Sequence, residues 1–231
     1  TWEVLSTTRE ENGGVPVVTK QLVGRVDNSS YPALTVNLLA SVSTPANATG
    51  PVPVVLSFAF AAGPGRGAAA TPSATPQPAP TTVGAPTNAP PPAAPRAGRA
   101  GAPPPGSAGA GRVGAPGAPA APAAPPAPTN QQQALARGWG YASIVTNSIQ
   151  ADNGQGLTCG IIGLVNKGQP RKVDDWGVLA AWGWGASRLL DYFETDRAVD
   201  AKRVALYGHS RWGKATLLAT VLDQRFATAY V

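Results

Sequence analysis

Apolar positions come first in short β-rich runs and later in a helical rhythm. Residues 34–43 (LTVNLLASVS) and 52–60 (VPVVLSFAF) are rich in β-branched and aromatic side chains and are parted by the turn-forming TPANATG, a pattern that predicts two neighbouring strands. Residues 131–137 resemble the end of a helix, and 140–147 (GYASIVTN) predict another strand. The glycine-rich stretch 154–169 reads as loop. The acidic pair Asp174 and Asp175 suits the positive end of a helix, which is expected to start there. Beyond it Trp176, Leu179, Ala180, Gly183, Ala186, Leu190 and Phe193 recur at helical spacing and form a core-facing stripe. Residues 200–203 read as a turn into a strand at 204–207; a helix over 212–222 and a strand over 226–231 follow. Strands alternating with helices predict an α/β fold with a mostly parallel central sheet.

Residues 63–128 break this pattern, being almost wholly Ala, Pro and Gly with 19 of the chain's 25 prolines. Such a segment buries too little apolar surface to offset its conformational entropy, so it is expected to be a disordered insert between two parts of one domain, 1–62 and 129–231. Its composition also changes the meaning of the charge. The formal balance of +6 includes Arg66, Arg96, Arg99 and Arg112 of the insert, which leaves 14 basic and 12 acidic groups elsewhere. That balance argues against a nucleic-acid-binding face. The single cysteine, Cys159, rules out an internal disulfide or a multi-cysteine metal site and is expected to be a small buried residue. The apolar run at 52–62 is too short to span a bilayer. A start at Thr1 in a chain without methionine points to a processed or trimmed N-terminus.

The chemistry concentrates in RVALYGHSRWGK, residues 203–214. A buried strand, a tight turn carrying Ser210 and a helix start together predict a nucleophile elbow. The serine hydroxyl projects above the sheet, and the helix N-terminus aims free N–H groups at developing negative charge. Acyl transfer with Ser210 as nucleophile follows. Ser210 and Lys214, four residues apart, fall on about the same helix face. Arg211 and Lys214 also read as solvated surface charges, and Trp212 either lines a pocket or packs the helix. A serine nucleophile needs a base, ordinarily histidine. The only one, His209, directly precedes the serine and is expected to pack beneath the elbow, so the base and its acid are expected to lie outside this chain, which would stop short of them. Asp191, Glu194, Asp196, Asp200 and Asp223 offer no candidate for the acid.

The usual esterase elbow has glycines two before and two after the serine. Here Gly208 is two before, but Gly213 is three after. GHSRWGK, the preceding VDAKRVALY and the upstream GLTCGIIGLVNKGQPRKVDDWGVLAAWGWGASRLLDYFETD closely resemble the glucuronoyl esterases, particularly the bacterial ones, and the strands LTVNLLASVSTP and PVPVVLSFAF fit that family's N-terminal half. The resemblance implies an α/β-hydrolase fold, cut after the elbow helix and the strand behind it. It implies a cofactor-free, metal-free monomer that cleaves esters of (4-O-methyl)glucuronic acid between xylan and lignin alcohols through an acyl-enzyme. By it, Ser210 attacks, Arg211 stabilises the oxyanion with backbone N–H and side chain, and Lys214 binds sugar hydroxyls. A polymeric substrate further implies a secreted or periplasmic protein. Two rivals stay open: another esterase of the fold, such as an acetyl xylan esterase, and a non-catalytic carbohydrate-binding or interaction protein.

Overall fold

The computed structural model describes residues 1–60, 126–153 and 157–231; of the expected insert only residues 126–128, which are exposed, fall among them. The described chain opens with four strands, β1 (Trp2–Asn12), β2 (Val15–Arg25), β3 (Asn37–Pro45) and β4 (Val52–Ala59). Helix α1 (Asn130–Ala136) leads into β5 (Gly140–Val145), α2 (Thr146–Ile149), α3 (Gly160–Val165) and α4 (Val178–Phe193). Strand β6 (Val199–Tyr207), helix α5 (Arg211–Leu222) and β7 (Thr228–Tyr230) complete it. The strands form one sheet in the order β1-β2-β3-β5-β4-β6-β7. Pairing is antiparallel from β1 through β3 to β5, then parallel from β5 through β4 and β6 to β7. This is a mixed sheet with helices, its four strands β5-β4-β6-β7 all parallel, as expected of an α/β-hydrolase.

The alternation that predicts β4 also assigns its faces. Val54, Leu56 and Phe58 are buried together with Ala142 and Ile144 of β5 and Val204 and Leu206 of β6, and α3, α4 and α5 supply the opposing layer through Ile162, Trp182, Leu189, Phe193, Ala215 and Ala219. At the α4–α5 crossing a side chain at Gly183 would stand 3.1 Å from Ala219 Cβ, so the small residue sets how closely the helices approach. The buried surface of α4 is broader than the expected stripe, adding Ala181, Trp182 and Leu189 and leaving Leu179 and Ala180 half-buried. Among the described residues no helix is long and apolar enough to cross a membrane.

Four local expectations are corrected. β3 and β4 are not neighbours, because β5 lies between them and pairs with both; two β-rich runs with a short connection look like a hairpin, and local pattern says nothing of a strand arriving later. The stretch 154–169 contains α3, where glycines serve close packing: Gly160 has φ 65°, and a side chain there would stand 2.7 Å from Gln150 Oε1. Helix α4 starts at Val178 behind Gly177, whereas the Asp175 carboxylate accepts the Lys172 amide at 2.7 Å and closes a turn ahead of it. Residues 200–203 lie inside β6, where the pairing with β4 jumps from Val199 to Val204, so the expected turn is an irregularity within the strand.

Candidate active site at the end of β6

The chain order sets where a site can form. From β4 the chain crosses to β5 on one side, and from β6 it crosses to β7 on the other, so the connections diverge at the carboxyl ends of β4 and β6. Such a divergence leaves a crevice at the strand ends. The turn after β6 opens there. Gly208 is buried, and its amide donates to the Tyr230 carbonyl at 3.1 Å, carrying the β6–β7 pairing up to the turn. Gly208 must be glycine: a side chain would collide with the Trp212 carbonyl and come 2.6 Å from Thr216 Oγ1. Gly213 faces the Gly208 carbonyl at 3.1 Å from the position a Cβ would take. The glycine three residues after the serine thus performs the close strand-to-helix packing.

Between them Ser210 has φ 56° and ψ −116°. That conformation is rare for a residue with a side chain and costs on the order of 1–3 kcal/mol, which the packed strand and helix on either side must hold in place. Ser210 is the N-cap of α5, its carbonyl accepts the Lys214 amide at 3.2 Å, and its hydroxyl makes no capping hydrogen bond. The side chain is exposed at the mouth of the turn. The Arg211 amide, at the first helical position, belongs to the donors that a helix start leaves unpaired.

All three expected site residues, Ser210, Arg211 and Lys214, are exposed at this helix end. Two further groups join them that the sequence did not single out. Asp152, in the loop after α2, pairs with Arg211 through Nε–Oδ2 at 2.5 Å and Nη2–Oδ1 at 2.7 Å. Phe60, at the end of β4, lies against Trp212 with ring centroids 4.6 Å apart, so this indole is half-buried against a side chain of the crevice. No local signal marks either partner, because each contact joins segments distant in sequence. A cavity of about 510 Å³ opens beside Arg211, lined also by Asp152, Asn153, Leu157, Pro170, Arg171 and Val178.

Two expectations about neighbouring residues fail. His209 is exposed and does not pack beneath the elbow, where Gly213 and the buried Thr216 approach Gly208. Cys159 is exposed, because it precedes α3 at the N-cap and leaves burial to Ile161 and Ile162. The acids set aside from the triad are engaged elsewhere. Asp196 is buried and binds Lys20 Nζ at 2.6 Å, accepting also from the Tyr192 hydroxyl at 3.0 Å and the Ala198 amide at 3.1 Å. Burial pushes its carboxyl up, and these donors outweigh the push, leaving it below the usual carboxylate value. Asp223 binds the Arg225 guanidinium, which holds its carboxyl down at about 2, and Arg225 also bridges to Asp191 at 2.9 Å and Glu194 at 3.0 Å. Asp200 pairs with Arg203 at 2.5 Å within β6. Among the described residues no three His, Cys, Asp or Glu side chains converge as metal donors.

Residues 171–230, which hold α4, β6, the turn and α5, match the family model described as glucuronyl esterase, fungi. Over 98 residues the chain is 42% identical to the carbohydrate esterase MZ0003 from an unknown prokaryotic organism, a match covering 42% of this chain and 22% of that protein. Among solved structures it superposes on a CE15 glucuronoyl esterase from Teredinibacter turnerae with a TM-score of 0.65 and 28% identity, covering 99% of this chain and 44% of that one. A glucuronoyl esterase from Solibacter usitatus gives a TM-score of 0.63 at 27% identity, covering 99% of this chain and 50% of that one. The chain therefore spans half or less of the length of each of these three proteins.

Proposed function

From its similarity to glucuronoyl esterases we propose that this chain belongs to a serine carboxylic ester hydrolase acting on esters of glucuronic or 4-O-methylglucuronic acid, the acyl group carried by xylan and the alcohol by lignin. The observation that carries this reading is the backbone of Ser210, which at φ 56° lifts an uncapped, exposed hydroxyl above the end of β6. Ser210 Oγ forms the new bond to the uronate carbonyl carbon and gives up its proton to a general base. The carbonyl electron pair moves onto oxygen, where the Arg211 amide and guanidinium stabilise it. Collapse of this intermediate breaks the ester bond, and the alcohol leaves with the proton returned by the base. Water then repeats the sequence on the acyl-serine and releases the uronate. Lys214, on the same face of α5, holds sugar hydroxyls. The base and its supporting acid are assigned to residues outside positions 1–231, since the one histidine, His209, adjoins the nucleophile in the chain. The enzyme works as a secreted or periplasmic monomer, where a polymeric substrate is accessible.

The test uses the protein encoded by the whole gene. A serine-directed phosphonate labels Ser210, labelling is lost in Ser210→Ala, and benzyl glucuronate is hydrolysed at least tenfold faster than acetylated xylan, as a site built around uronate contacts requires (about 1.4 kcal/mol or more). Labelling that survives Ser210→Ala sinks the nucleophile assignment; faster release of acetate assigns the protein to acetyl esters instead.

A further inference from the structure

Arg211 sits where a cation is least welcome. It occupies the first position of α5, and the positive end of a helix repels a guanidinium. Asp152 offsets that repulsion, and it does so with a defined geometry. Both carboxylate oxygens are engaged, Oδ2 by Nε at 2.5 Å and Oδ1 by Nη2 at 2.7 Å, so the fork fixes the plane of the guanidinium as well as its position. Among the described residues no partner takes the two Nη1 hydrogens or the second Nη2 hydrogen, which lie beside the cavity that Arg211 and Asp152 both line.

Asp152 is itself tied to the core. Two residues earlier, Gln150 is 2% exposed and is held on three sides: its amide donates to the Thr146 carbonyl at 2.9 Å, its Oε1 accepts the Ile162 amide at 3.0 Å, and its carbonyl accepts Trp182 Nε1 at 2.9 Å. Trp182 is 1% exposed in the middle of α4. The chain thus runs from the centre of the core to a carboxylate placed against the residue that follows the nucleophile. A long side chain that is half exposed would otherwise sample many rotamers and lose that freedom each time an oxyanion formed.

We propose that Asp152 is a positioning residue of the esterase site, holding the Arg211 guanidinium in the orientation from which it stabilises the oxyanion. The inference rests on the serine-esterase reading above. It touches neither substrate nor proton transfer directly; it acts through Arg211.

The experiment is a double-mutant cycle in the whole-gene protein, read by hydrolysis of benzyl glucuronate and by the rate at which a fluorophosphonate labels Ser210. Asp152→Ala lowers kcat roughly 10- to 100-fold, the range for a displaced catalytic group, while KM stays within about twofold. Asp152→Glu regains part of the loss, and in an Arg211→Ala background Asp152→Ala has no further effect. Asp152→Asn, which keeps the shape and removes the charge, provides the comparison if the alanine variant is poorly folded. An unchanged kcat and labelling rate in Asp152→Ala overturns the proposal, as does a loss of equal size in the Arg211→Ala background. Failure of both the alanine and asparagine variants to fold makes Asp152 a purely structural residue and overturns it too. If Ser210 in the parent is not labelled at all, the serine-esterase reading falls and takes this inference with it; labelling that is normal in the parent and undiminished in Asp152→Ala defeats this inference alone.

Discussion

The antiparallel ribbon β1–β2 and the parallel centre β4–β6 belong to one sheet and differ in how much of each is buried. Along β1 none of the eleven residues is buried, and its TTREE stretch faces water on both sides at the sheet edge. Along β4 every second residue is buried, with Val54, Leu56 and Phe58 between 0 and 2% exposed. Strand β1 is therefore held by its ladder to β2, which itself buries Val17, Leu22 and Val23, and the ribbon adds a few point contacts. Trp2 Nε1 donates to the Arg188 carbonyl at 2.8 Å, Thr19 bonds the Ser43 hydroxyl at 2.8 Å, and Lys20 binds Asp196. The centre is held by continuous apolar burial, each fully buried aliphatic or aromatic side chain contributing roughly 1.5–3 kcal/mol. The charges of β1 also blunt an edge that would otherwise pair with other chains. Ser210, the proposed nucleophile, hangs from the centre, so damage to the two regions should separate stability from chemistry.

The sharpest break is expected at the centre. Gly208→Val forces a side chain into the Trp212 carbonyl and Thr216, and should cost about 3 kcal/mol or more in urea unfolding while also abolishing phosphonate labelling of Ser210. A variant that folds normally and still labels would show that the turn is plastic and that the centre does not hold Ser210 in place.

A smaller effect, confined to stability, is expected where the ribbon meets the rest. Asp196→Ala leaves the Lys20 ammonium without its carboxylate and should cost about 2 kcal/mol, below the full figure for a buried pair because Lys20 remains 24% exposed. Ser210 labelling should stay at the parental rate. A large fall in labelling would mean that the ribbon and the elbow are coupled, against the division drawn here.

The least effect is a pH dependence. Asp223 is held at about 2 in the folded protein by Arg225, against an ordinary value of 3.8. A carboxyl depressed by folding adds stability that is complete above its unfolded value and disappears as pH falls through the folded one, so this contribution fades between about pH 4 and pH 2. It should amount to about 1 kcal/mol or less, since Arg225 is 38% exposed and solvent screens the pair. The drop in urea midpoint from pH 5 to pH 2 should be smaller in Asp223→Asn than in the parent; equal drops would remove Asp223 from the acid response of the α4–α5 side.

Much of the candidate site was legible in the sequence because the strand–turn–helix motif around Ser210 is local. The buried strand, Gly208, Ser210 and the helix start occupy consecutive positions, and backbone sterics act between neighbours, so RVALYGHSRWGK carries the turn within itself. The ribbon was not legible. Residues 2–25 hold threonines, charges and scattered valines with neither strict alternation nor a helical stripe, and their strand character comes from pairing, β1 with β2 and β2 with β3. The exposure of His209 and Cys159 has a related reason: residue type gives only an average tendency to be buried, and the buried positions beside them are Gly208 and Gly213 in one case and Ile161 and Ile162 in the other.

What the residues determined unaided is therefore whatever depends on short-range geometry: the β4 and β6 runs, the helix after the turn, and the placing of Ser210, Arg211 and Lys214 at one helix end. What only the tertiary structure decided is which distant segments meet them. The insertion of β5 between β3 and β4, the Phe60–Trp212 contact and the Asp152–Arg211 pair each join positions dozens of residues apart. Their free energy comes from burial and charge pairing that exist only once the sheet has assembled, and no local pattern along the chain encodes such a partner.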